Sequence, residues 1–123
     1  MRDRPFLPDM VGGVMRGVVA LHLAMGALGC APSLGGAVRA YEHGRYPEAM
    51  EALRAVETDA CHGRSSDAVR YALYRGLAHL ALGDLGATRL WLGRVEQVTS
   101  AHPTLLSADD AERLASARAH LPR

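Results

Sequence analysis

Apolar residues return along most of this chain at the three- and four-residue spacing that marks one face of a helix. The first such stripe consists of Leu34, Ala37, Val38 and Tyr41. Comparable stripes follow in four later segments, at residues 49–56, 69–80, 87–98 and 111–121. The alternation of apolar and polar residues that is typical of a strand appears nowhere in the sequence. The pattern therefore predicts an all-α protein with about five helices after its N-terminal segment.

Residues that end or begin helices separate these stripes. Gly44 and Gly83 stand where a helix commonly ends in the left-handed conformation. Ser66 and Ser107 each precede an apolar stripe and are typical N-cap residues. The connections at the two glycines are short, so the helices on either side are predicted to pack as antiparallel pairs.

The N-terminal segment has a different pattern, because residues 17–28 form a run without formal charge and without a polar face. The run is too short to span a membrane, which takes about 20 residues, but it has the length of a signal-peptide core. A buried core helix is the alternative interpretation. Residues 1–14 contain aspartates and prolines, so the signal is expected to begin at Met10 or Met15.

Gly29 and Cys30 close this run, and the segment resembles the signal peptide of a bacterial lipoprotein. Ala27 and Leu28 depart from the usual Leu-then-small order of that motif. The resemblance implies a signal peptide over residues 1–29, a diacylglyceryl lipid on Cys30, and a lipidated linker over residues 30–35. It also implies a location in the bacterial cell envelope, facing the periplasm. Ala31 after the cysteine resembles lipoproteins sent to the outer membrane.

Two of the helix pairs repeat each other at an offset of 39 residues, which aligns Gly44 with Gly83. The aligned apolar or small pairs are Ala37 with Gly76, Ala49 with Thr88, Leu53 with Leu92, and Val56 with Val95. A small residue at the helix crossing and a glycine at the turn resemble the tetratricopeptide repeat (TPR), a helix–turn–helix unit of about 34 residues. The resemblance implies a TPR-like domain over residues 36–121 that binds proteins.

The repeat departs from the family in three respects. Its spacing is longer, which is explained by an enlarged loop at residues 58–65, and Arg75 and His79 replace the usual Leu and aromatic residue. Only two repeats and one further helix are present, whereas solenoids generally need three or more repeats. The unit is therefore expected to pack against another protein or a second copy. A five-helix bundle without repeat ancestry remains the alternative.

Composition and motifs argue against nucleic-acid binding, metal binding and catalysis by this chain. Fourteen basic residues balance thirteen acidic residues, so the basic excess of a nucleic-acid-binding protein is missing. The pair Cys61–His62 has no second pair to complete a metal site. No phosphate-binding loop or nucleophile motif is present in the sequence. The chain is therefore predicted not to be an enzyme and to need no metal or cofactor.

The first helix of each TPR pair lines a concave groove, and this resemblance assigns a partner-binding face to the first and third predicted helices. The residues of this face are Val38, Tyr41, Glu42, Arg70, Leu73, Leu77 and Leu80. The leucines are expected to be covered either by the last helix or by a partner. Trp91 is expected to be buried near Leu73 or Leu77.

Three functional hypotheses remain from the sequence. The first is a lipid-anchored module that scaffolds an assembly of the cell envelope through a protein partner, which is another protein or a second copy of this chain. The second is a regulatory or accessory subunit of an envelope enzyme or secretion system, without catalysis of its own. The third is a structural anchor for a neighbouring protein.

Overall fold

The structure, a computed structural model, describes residues 31–60 and 65–123. The predicted signal peptide over residues 1–29, the predicted lipid site at Cys30, and the pair Cys61–His62 lie outside the described residues. Residues Pro32–Arg123 form one unit of the chain.

The described part of the chain contains six α-helices and one 3₁₀ turn, and no strand. The helices are α1 (Leu34–Glu42), α2 (Tyr46–Ala55), α3 (Glu57–Ala60), α4 (Ser66–Ala81), α5 (Leu85–Ala101) and α6 (Ala108–His120), with the 3₁₀ turn at Pro103–Leu105. The all-α prediction is confirmed, and each of the five predicted helices is present. The single-turn helix α3 was not predicted and lies at the start of the polar stretch between α2 and α4.

Side-chain caps fix where most of these helices begin. The Ser33, Asp84 and Ser107 side chains each accept a hydrogen bond from a backbone amide in the first turn of α1, α5 and α6. The cap of α4 is Ser65, which accepts from the Ala68 amide at 3.2 Å, so the predicted cap at Ser66 is displaced by one residue. Each cap satisfies one of the amides that a helix start leaves without a partner.

The two hairpin turns share one hydrogen-bonding pattern. Gly44 and Gly83 have φ angles of 73° and 84°, in the left-handed region that favours glycine. After each glycine, the next amide reaches back five residues: Arg45 to the Ala40 carbonyl and Asp84 to the His79 carbonyl, both at 2.9 Å. These bonds define a Schellman turn. The turns therefore correspond, as the 39-residue offset predicts.

Buried positions follow the same offset. Leu53 on α2 and Leu92 on α5 are both fully buried, as are Ala49 and Thr88 at the next aligned position. Ala37 on α1 is fully buried too. The repeated pattern in the sequence is thus a repeated pattern of burial.

Helix α4 lies at the centre of the unit and packs against α1, α2, α5 and α6. It runs antiparallel to α5, because Ala68 and Val69 near its start line a small cavity together with Val98 near the end of α5. Trp91 is 8% exposed, so its predicted burial is confirmed. The Tyr71 ring packs edge-on against the indole, with ring centroids 5.7 Å apart.

Candidate functional site

A groove of about 580 Å³ opens between α1, α4 and α6. Its lining residues are Tyr41 from α1; Leu77, Leu80 and Ala81 from α4; and Asp109, Glu112, Arg113, Ser116, Ala117 and His120 from α6. The groove is therefore built from the first helix of each hairpin and the helix that follows the second hairpin.

Helical spacing explains why these residues share one surface. The positions on α4 and on α6 recur every three or four residues, which places them in one stripe on each helix. The stripe on α4 is apolar, whereas the stripe on α6 is mostly polar or charged. The groove thus has an apolar wall and a charged wall.

The structure divides the seven residues of the predicted partner-binding face between the groove, the core and ion pairs with α6. Tyr41, Leu77 and Leu80 line the groove. Val38 and Leu73 are buried in the core, and Leu77 is also largely buried. The remaining two residues of the set, Glu42 and Arg70, form ion pairs with side chains of α6.

The charged wall was not predicted as part of the face. From the sequence, its acids Asp109 and Glu112, like the adjacent Asp110, are explained by the positive end of the last predicted helix. Helix α6 packs against α4 with Ala117 buried, while Leu77 and Leu80 still line the groove between the two helices. The regular spacing of Asp109, Glu112, Arg113 and Ser116 was the sequence signal that could have identified this wall.

A buried carboxylate fastens α6 to α4. Asp110 is 6% exposed, accepts a hydrogen bond from the Tyr74 hydroxyl at 3.2 Å, and lies 3.3 Å from Nε of Arg70. Burial raises the pKa of Tyr74, and the neighbouring Asp110 charge raises it further. The phenol therefore stays protonated at neutral pH and serves as the donor that a buried carboxylate needs.

A second contact fastens α6 to α1. The Arg113 guanidinium donates to Glu42 at 3.1 Å and lies 5.9 Å from the centre of the Tyr74 ring. Tyr41 packs against the same ring edge-on, with centroids 5.5 Å apart. Burial raises the pKa of Tyr41, with a smaller contribution from Tyr46. Tyr41, the residue of α1 that lines the groove, is therefore an uncharged aromatic side chain at neutral pH.

A cationic cluster of Arg75, on α4, and the exposed Arg94, on α5, flanks the Trp91 indole outside the groove. The guanidinium groups of Arg75 and Arg94 lie 5.0 Å and 4.5 Å from the centre of the Trp91 indole. Arg75 is 9% exposed and donates to the Tyr71 hydroxyl at 3.4 Å, but it forms no ion pair with any residue of the described part. Burial lowers the pKa of the nearby His79, and the Arg75 charge lowers it further.

Within the described residues, no three His, Cys, Asp or Glu side chains come together as metal ligands. None of the helices in residues 31–60 and 65–123 has the length and apolar character needed to cross a bilayer. Comparisons with family models, with curated proteins and with solved structures find no match to this chain.

Proposed function

We propose that this chain is a lipid-anchored, TPR-like module that binds a helix or segment of a protein in the groove between α1, α4 and α6. The observation that carries the proposal is the composition of the groove. Both first helices of the repeated hairpins line it, and its apolar wall of Leu77, Leu80 and Ala81 faces a charged wall. An open surface of this kind suits a protein segment with apolar and polar side chains.

The TPR-like part of the proposal is supported by the repeat. Two hairpins with the same glycine turn and equivalent buried positions lie 39 residues apart. In a solenoid such units stack side by side, and their first helices form a continuous binding surface. Helix α6 extends that surface in this chain, since it contributes six of the ten lining residues.

The anchor is proposed from the sequence at Cys30, with the module facing the periplasm of a bacterial envelope and the outer membrane as its site. The module is proposed to act as a scaffold for an assembly of the cell envelope, without catalytic activity of its own. Cys30→Ser should release the protein from membranes, and the intact mass of the membrane-extracted wild-type chain should include the lipid. An unmodified chain that begins before Met15 would show the lipoprotein interpretation to be wrong.

The binding surface is tested by site-specific photo-crosslinking in the native cell. A photoreactive phenylalanine analogue replaces Ala81, which is exposed and lines the groove. The same analogue at Glu51, exposed on α2 and outside the groove, is the matched control. We expect protein crosslinks from position 81 and none from position 51. Crosslinks from position 51 alone would place the binding surface elsewhere and overturn the proposal.

A further inference from the structure

The charged wall of the groove carries two carboxylates that have no counter-ion among the described residues. Asp109 and Glu112 are exposed, and neither forms an ion pair with a residue of the described part. The positive charge of Arg113 is matched by Glu42. His120 is bonded within its own helix, where Nδ1 donates to the Ser116 carbonyl at 2.7 Å. The groove therefore offers an apolar wall beside a net negative wall.

The outer face of α5 has the opposite character. Leu90 is 56% exposed, and among the described residues it is the more exposed of the two large hydrophobic side chains that face solvent. Arg89 precedes it, and Arg94 follows one turn later on the same helix. Neither arginine forms an ion pair with a described carboxylate. The Arg89 guanidinium donates to the Pro122 carbonyl, and the Arg94 guanidinium lies over the Trp91 ring.

The groove and the outer face of α5 complement each other in hydrophobicity and in charge. The exposed Leu90 matches the apolar wall, and the two arginines match Asp109 and Glu112. We propose that the occupant of the groove is the outer face of α5 from a second copy of this chain, which rests on the proposed function of the groove. Leu90 would contact Leu80 and Ala81, and Arg89 and Arg94 would face the two carboxylates.

The two surfaces consist of different residues, so the contact is head-to-tail. A pair of copies in such an arrangement keeps one free groove and one free α5 face, and assembly continues unless a ring closes. This arrangement also supplies what a two-repeat solenoid lacks, since short solenoids leave apolar faces open at their ends.

Charge reversal on each surface tests the proposal with the full chain alone. In sedimentation velocity at low salt, the average mass of the wild-type species should rise with protein concentration. The groove variant Asp109→Lys/Glu112→Lys and the helix variant Arg89→Glu/Arg94→Glu should each weaken self-association at least about tenfold, because like charges then face each other. A mixture of the two variants should regain association, since the reversed groove then meets the reversed helix.

A control variant carries an equal change of charge outside both surfaces: Glu51→Lys/Asp59→Lys on α2 and α3, where both side chains are exposed. It should associate as the wild type does, and circular dichroism should show all variants helical. A wild type that stays monomeric at every concentration would overturn the proposal. Self-association that both charge-reversal variants retain at wild-type strength would also overturn the proposal. A mixture of the two variants that does not associate would overturn it as well.

The crosslinking experiment separates this inference from the proposed function. If position 81 crosslinks α5 of a second copy, both stand. If it crosslinks only a different protein, the groove binds protein but the self-association proposal is wrong. If it crosslinks nothing, the proposed function itself fails.

Discussion

At Gly76 the helices α4 and α5 approach so closely that a methyl group would overlap a neighbour. A Cβ atom there would lie 2.6 Å from a terminal carbon of Leu92 and 3.4 Å from the Leu92 backbone nitrogen. Leu92 is fully buried, so its side chain has little room to move. The small residue at this aligned position of the repeat therefore has a steric cause.

We expect Gly76→Ala to lower the free energy of unfolding by about 1–3 kcal/mol, because overpacking outweighs the better helix propensity of alanine. Chemical denaturation measures this change. Gly93→Ala is the matched control, since it also lies within a helix and a Cβ there would meet only an Arg118 nitrogen at 4.0 Å. The control should gain up to about 1 kcal/mol. A stabilised Gly76→Ala would contradict the close approach.

His79 links the cationic cluster to the pH dependence of stability. Burial lowers its pKa, the charges of Arg75 and Arg54 lower it further, and Asp84, 3.6 Å away, opposes them. The unfolded chain then binds a proton more readily than the folded chain, so this contribution to stability is full above about pH 6.5 and is lost as the pH falls through the lowered pKa.

We therefore expect the free energy of unfolding to fall between about pH 7.5 and pH 5.5, and to fall less in His79→Gln. Urea denaturation across this range measures both slopes. His43→Gln serves as the control, because its imidazole is exposed and donates only to a carbonyl of its own helix. Equal slopes for all three proteins would show that His79 is not the group responsible.

At the scale of the element, the sequence predicts the hairpins well because their determinants are local. A glycine with positive φ and an apolar stripe on each side suffice to specify a helical hairpin, and both turns form where Gly44 and Gly83 predict. The cap at Ser65 and the single turn α3 were missed, since adjacent serines and a polar stretch of 58–66 give no unique local signal.

The position of α6 was harder to predict, because long-range polar contacts fix it. Asp110 was interpreted as an acid that favours the positive end of its own helix. In the structure it also contacts Tyr74 and Arg70, about 40 residues earlier in the chain. Such partners are not encoded by spacing within α6, so the sequence indicates which residues share the charged face of α6 but not that this face lies opposite α4.

The docking of α6 should depend on Asp110 much more than on the exposed Asp109 beside it. Asp110→Asn removes the charge that compensates Arg70 and should cost about 1–3 kcal/mol. Asp109→Asn makes the same change of charge one residue earlier and should cost less than about 1 kcal/mol. Relative to the wild type, amide hydrogen exchange should become faster in α6 than in α4 for Asp110→Asn, and should not do so for Asp109→Asn. Similar exchange in both variants would mean that Asp110 does not hold the helix.

For the whole molecule, the predicted face and the observed groove overlap at Tyr41, Leu77 and Leu80. The overlap arises because the repeat offset fixes which sides of α1 and α4 face each other. Val38 and Leu73 belong to the same helical faces but lie deeper, where neighbouring helices cover them. Periodicity identifies the face of a helix, whereas depth within the fold depends on the packing of all its neighbours.

The two hairpins are expected to unfold together as one unit. Leu53 and Leu92 occupy equivalent, fully buried positions in the first and second hairpin. Each change to alanine should cost about 2–5 kcal/mol. Helix α4 packs against α2 as well as α5, so the loss in one hairpin should destabilise the other.

Trp91, the only tryptophan, reports on the second hairpin, and far-ultraviolet circular dichroism reports on all helices. For both variants we expect the fluorescence and dichroism transitions to coincide, as they do for a single cooperative unit. A Leu53→Ala protein that loses helicity while its Trp91 fluorescence stays native would instead show hairpins that unfold one at a time. That result would make the chain a string of weakly coupled repeats, because the shared helix α4 would then fail to transmit the loss.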